Sequence, residues 1–200
     1  MGKMRLQTMI EVAICAAMSM VLDLLPSIKI GTSISISFAM VPVLLVALRG
    51  GVLAGMASGL LWGLLQIWTG DAWIATPLQG FIEYVIAFSC VGFAGLFSGT
   101  VKRSALKGQK KEMLVWAVAA IFVGGTARYF WHFIAGMVFF KAAAKKAGKA
   151  PFLFSLSVNG TAWFFSTLVC SIVMVLILSK AIQLVTSART EAEQHARKIS

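Results

Sequence analysis

The sequence predicts an all-α membrane protein, a six-transmembrane-helix bundle with an extended loop or lid between helices 1 and 2. Three observations carry that class. Hydrophobic residues make up 59% of the 200-residue chain, charged residues only 12%, and mean hydropathy is +0.87, a balance that excludes an ordinary soluble domain. The apolar residues gather into runs near the roughly 20 residues needed to cross a bilayer. Those runs fill most of the chain, so residues 1–185 read as one transmembrane domain and 186–200, TSARTEAEQHARKIS, as a basic cytoplasmic tail.

The first run, Met4 to Leu25, carries Glu11 near its start and lacks a clear small-residue cleavage site, so it reads as a retained helix rather than a removed signal peptide. After it, PSIKIGTSISISFAM alternates apolar and small polar residues with the period of a strand. A lone strand cannot face lipid with unpaired backbone groups. This segment is therefore a loop or short hairpin over one end of the bundle, either a lid or an interfacial connection.

The second run, Phe38 to Leu48, is only about half the length of a span. It turns into the third, Gly51 to Thr69, across Arg49-Gly50-Gly51. Ala75 to Val101, Met113 to Phe140 and Phe152 to Val185 complete the six. Five spans plus a re-entrant piece is the other count these lengths allow.

A net charge of +11 suggests nucleic acid in a soluble protein, but in a membrane protein the distribution of Lys and Arg among loops matters more. Six spans put Lys3, Arg5, Arg49, Lys102, Arg103, Lys107, Lys110, Lys111, Lys180, Arg189, Arg197 and Lys198 on one side. Lys29, Lys141, Lys145, Lys146 and Lys149 fall on the other. Twelve against five places both termini in the cytoplasm, with the KAAAKKAGK cluster dissenting. The basic tracts read as topology determinants or lipid headgroup contacts, not as a nucleic-acid surface. Cys15, Cys90 and Cys170 lie in apolar sequence without paired spacing and read as small buried hydrophobes, with no disulfide framework and no metal set.

Polar residues at membrane depth are costly and are therefore site candidates. Glu83, followed by Tyr84, stands about two turns into the fourth helix. Arg128 and His132 share one face of the fifth, Asn159 lies early in the sixth and Gln66 late in the third. Loop directions put Glu83, His132 and Asn159 in the same, non-cytoplasmic half. A buried Glu83–Arg128 ion pair accounts for both charges without a ligand. The aromatic company of Trp62, Trp68, Trp73, Tyr84, Tyr129, Trp131, Phe140 and Phe154 favours a pocket for a small, flat, cationic heterocycle.

The segments FIEYVIAF, ARYFWHFIAGMVFF and FSLSVNGTAWF, in that order after an alternating segment, resemble the thiamine-specific S components of energy-coupling factor transporters. The resemblance runs from about Met9 to Leu178 and leaves out the tail. It implies a prokaryotic cell-membrane subunit that binds extracellular thiamine at high affinity and docks on a transmembrane coupling subunit driven by two ATPases. Glu83 then matches the family's acidic residue, Tyr84 its neighbour, His132 the pocket histidine and Asn159 the pocket amide. Trp62 matches, Phe140 replaces a stacking tryptophan, and Phe154 and Trp73 stand where tyrosines are usual. Ala13 and Ala17, four apart in EVAICAAMS, make a small-residue face that packs within the chain or, by the resemblance, docks on the coupling subunit. The segment from Pro26 to Met40 lacks the lid tryptophan of that family.

Thiamine pairs a fixed thiazolium charge with a hydrogen-bonding aminopyrimidine, which an anion among aromatic rings and neutral polar groups suits. Riboflavin needs no anion, and biotin prefers a cation. The chain lacks a phosphate-cradling Gly-rich motif, so partners would hydrolyse ATP. No cofactor, metal or catalytic set is expected. Three rivals remain open: an S component for another vitamin or a thiamine precursor, a proton-coupled carrier using Glu83, and an intramembrane enzyme with Glu83 and His132 as acid and base.

Overall fold

The structure, a computed structural model, describes residues 4–24, 28–30 and 34–186. The basic tail beyond Thr186 therefore lies outside the described residues. The helices are α1 (Leu6–Leu24), α2 (Val41–Gly50), α3 (Val52–Thr69), α4 (Pro77–Leu106), α5 (Lys110–Phe139), α6 (Lys141–Lys146) and α7 (Pro151–Lys180). Among the described residues, five helices, namely α1, α3, α4, α5 and α7, are long and apolar enough to cross a membrane.

The second apolar run is the short sixth apolar helix of the bundle, and it returns the chain from the hairpin end to the end where Arg49 meets Glu11. At 10 residues α2 is about 15 Å long, half a bilayer core. Seven of those residues are buried, and α2 touches α1, α3, α4, α5 and α7. It is a core plug surrounded by the five long helices, which is why its apolar run is continuous rather than one-sided. The alternating segment forms strands β1 (Ile28–Ile30) and β2 (Ile34–Ile36), antiparallel with Lys29 opposite Ser35. Pairing within this hairpin satisfies strand backbone groups that lipid cannot, and β2 runs beside α7.

Local chemistry sets the helix ends. Gly70, at φ +78°, closes α3 in the left-handed conformation that glycine adopts without penalty. Thr76 accepts the Gln79 amide at 3.2 Å and Pro77 opens α4 behind it, a preorganised N-terminus. Within α4, Phe81–Ile86 widens into a π-helical turn, with the Ala87 amide donating to Ile82 O.

The wide turn rests directly on α3. Gly63 faces it, and Gly59, four residues earlier, faces the α-turn that follows it. A Cβ on Gly63 would sit 1.8 Å from Tyr84 O, and one on Gly59 2.1 Å from Phe88 O. Only glycine lets the two backbones approach this closely. At the opposite end, Arg49 pairs with Glu11 at 3.0 Å and donates to the carbonyls of Gln183, Leu184 and Thr186, tying α2 to α1 and to the segment that follows α7. Cys90 and Cys170 are buried, Cys15 half-buried, and all three thiols are free.

Candidate substrate-binding site

One half of the bundle holds a cavity of about 490 Å³, within the size range of small-molecule sites. Trp73 from the α3–α4 loop, Glu83 and Tyr84 from the π-helical turn, Gly136 and Phe140 from α5, Ala143 from α6, and Phe154, Val158 and Asn159 from α7 line it. Six of the eight side chains read from the sequence as ligand contacts thus face one space.

The walls are held from behind. Tyr84 Oη accepts from the Trp73 amide at 2.9 Å, fixing the loop, and the Trp73 and Phe140 rings lie 5.1 Å apart at 41°. Gln79, fully buried, donates through its side-chain nitrogen to Trp73 O at 3.2 Å and to Glu83 Oε2. Its oxygen accepts from the Ala75 amide at 2.9 Å. Across the cavity, Asn159 Nδ2 donates to Ser155 Oγ at 3.1 Å, and Ser155 Oγ donates to Phe133 O at 2.7 Å. A Cβ on Gly136 would stand 2.9 Å from Asn159 Nδ2, so glycine there brings α5 and α7 together beneath the amide.

Glu83 is almost enclosed, its side chain 12% exposed. Its Oε1 stands 3.6 Å from His132 Nδ1. Among the described residues, the ion pair within 4.0 Å is Arg49–Glu11, and the nitrogen that Glu83 meets within that distance is His132 Nδ1, so Glu83 does not pair with Arg128. The guanidinium lies instead over the rings of Phe88 at 4.2 Å, Trp62 at 4.6 Å and Tyr129 at 5.6 Å, and Arg128 Nε donates to His132 Nε2 at 3.4 Å. Stacking on aromatic faces is a geometry the planar guanidinium suits.

Two of the expected contacts sit elsewhere. His132 adjoins the cavity through Glu83 instead of lining it. Trp62 is 1% exposed and lies beneath the cavity, edge-on to Phe88 at 4.5 Å, with its indole N–H on Asp23 Oδ2 at 2.9 Å. Trp68, 84% exposed, takes no part.

Asp23 is the residue the sequence reading passed over. Its carboxylate accepts from Ser37 Oγ at 3.2 Å, from Trp62 and from Gln66 Nε2. Position hid it, because an acid in the last turn of a span reads as an interfacial residue. Gln79 was missed too, although it stands four residues before Glu83 on the same helical face. Ala13 and Ala17, by contrast, are exposed on α1, while Val12, Ala16, Ser19 and Met20 face inward, so this small-residue face does not pack within the chain.

Five apolar spans around a buried plug, with a carboxylate-bearing, aromatic-walled cavity in one half, define a multi-pass membrane protein of the transporter class. The chain belongs to the thiamine transporter protein family (Thia_YuaJ), whose sequence profile matches residues 9–186. It is 35% identical over 185 residues to the thiamine transporter ThiT of Bacillus subtilis (strain 168), covering 92% of this chain and 96% of the relative. Against ThiT of Lacticaseibacillus paracasei it is 35% identical over 183 residues, covering 90% of each. A solved structure of ThiT from Listeria monocytogenes superposes with a TM-score of 0.87 at 41% identity, covering 90% of this chain and 98% of that one. These relatives are named as transporters, which sets aside the acid–base enzyme reading of Glu83 and His132.

Proposed function

We propose that this chain is the high-affinity thiamine-binding S component of an energy-coupling factor importer. It captures extracellular thiamine and delivers it through a coupling subunit and two ATPases. The observation that carries the reading is Glu83, a nearly enclosed carboxylate on an aromatic-walled cavity in a chain of this family. A buried anion is costly unless something cationic meets it. Thiamine's fixed charge supplies that, and its aminopyrimidine offers donors and acceptors to Glu83, Tyr84 and Asn159. The rings of Trp73 and Phe140 flank the heterocycles, Phe154 closes the α7 side, and Trp62 and His132 support the floor.

Both termini lie in the cytoplasm in this reading, supported by the lysine and arginine bias, so the cavity and the β1–β2 hairpin face outward and the hairpin serves as lid. Docking falls to the exposed Ala13 and Ala17, which leave room for a helix of the coupling subunit. The test is titration of the purified chain with thiamine, riboflavin and biotin, followed by tryptophan fluorescence. Saturable quenching by thiamine alone is the expected result. Preference for another vitamin, or proton-driven uptake by the isolated chain without ATP, overturns it.

A further inference from the structure

Arg128 is a full positive charge placed behind a site meant for a cation, and nothing in the proposed ligand chemistry uses it. Three contacts explain its presence. First, its guanidinium is held away from the cavity over the faces of Phe88 and Trp62. Second, the edge of that same Trp62 donates to Asp23, whose carboxyl also takes hydrogen bonds from Ser37 and Gln66. One indole thus carries the guanidinium on its face and the Asp23 carboxyl at its edge. Third, Arg128 Nε–H donates to His132 Nε2 at 3.4 Å.

The third contact fixes the imidazole. A guanidinium has donors only, so the nitrogen it meets must offer a lone pair and bear no proton. The single ring proton of a neutral histidine then resides on Nδ1, the nitrogen 3.6 Å from Glu83 Oε1. We infer that Arg128 is a positioning residue: it holds His132 as the neutral Nδ1–H tautomer, so that the imidazole points a donor at Glu83 without neutralising it. With His132 uncharged, the charge of Glu83 is left for one positive charge on a ligand. An imidazolium at 132 would cancel Glu83 from inside the protein. The inference rests on the proposed thiamine reading for its purpose, though not for its test.

The test begins without ligand. The chain has two histidines, so a His195→Gln background leaves His132 as the only one. Nitrogen-15 NMR of histidine-labelled protein at pH 7 is expected to show one protonated ring nitrogen, Nδ1, and one bare, Nε2. Arg128→Met, which keeps an unbranched chain over the rings but removes the donor, is expected to lose that pattern and to bind thiamine at least tenfold more weakly. A proton on Nε2 in the parent, a doubly protonated ring, or an Arg128→Met spectrum identical to the parent overturns the assignment. If Arg128→Met does not fold, the parent spectrum alone decides the tautomer. The Nδ1–H pattern in a parent that ignores thiamine would leave the tautomer standing and sink the ligand assignment.

Discussion

Replacing Glu83 with Gln removes one charge and keeps the shape, which isolates the electrostatic part of the proposed site. A cation about 4 Å from the carboxylate, at an effective dielectric of about 20, gains roughly 4 kcal/mol, or about a thousandfold in affinity. The surroundings add to the loss. The two carboxylate oxygens face two donors, His132 Nδ1 and Gln79 Nε2, and an amide has only one oxygen. One donor then meets another, costing about 1 kcal/mol more. Gln79 cannot turn over to relieve this, since its oxygen already accepts from the Ala75 amide and its nitrogen serves Trp73 O. Fluorescence titration of Glu83→Gln is therefore expected to show thiamine binding weakened by about three orders of magnitude, with circular dichroism unchanged. Binding within about threefold of the parent would show that the carboxylate is structural and refute the reasoning.

Gly63→Ala drives a methyl to 1.8 Å from Tyr84 O, so it should destabilise the bundle by about 1–3 kcal/mol, weaken thiamine binding and lower the melting temperature in detergent. An unchanged melting temperature would mean that α3 and α4 are not in backbone contact. Ala13→Trp should leave thiamine binding intact while abolishing ATP-driven uptake by the reconstituted transporter; unimpaired uptake removes the docking assignment. Phe154→Tyr adds a hydroxyl to the cavity wall and should tighten binding by about fivefold, the worth of one hydrogen bond of about 1 kcal/mol. No change would mean that the hydroxyl finds no partner on the ligand.

The spans were legible because hydropathy over about 20 residues is an average that single residues hardly disturb. The hairpin was legible from strict alternation, since a period of two cannot belong to a helix. What α2 does was not, because an apolar run says that a segment avoids water and not whether lipid or protein replaces it. Length was the only clue, and it allowed the buried reading without choosing it. Glu83, Tyr84 and Asn159 stood out as polar groups at depth, and they do face one cavity. The partners of Glu83 were not readable, since the choice between Arg128 and His132 depends on which way each side chain turns around α5. The glycines at 55, 59 and 63 announce a tight helix contact by spacing alone, and that signal went unread.

The π-helical turn at Phe81–Ile86 changes what kinds of mutation this protein can absorb. Such a turn carries one residue more than an α-turn of the same rise. Dropping one amino acid between 81 and 86 should let the coil relax to ordinary α-geometry with the segments on either side kept in register, whereas the same deletion in a plain α-helix rotates one side by about 100°. Gln79 and the loop bearing Trp73 would keep their direction, and the side chains of the turn itself, Glu83 and Tyr84 among them, would be re-aimed. A codon deletion in this short stretch should therefore spare the fold more than one elsewhere in the spans while still re-aiming the acid on the cavity wall, a separation of folding from binding that substitution scanning would never reveal.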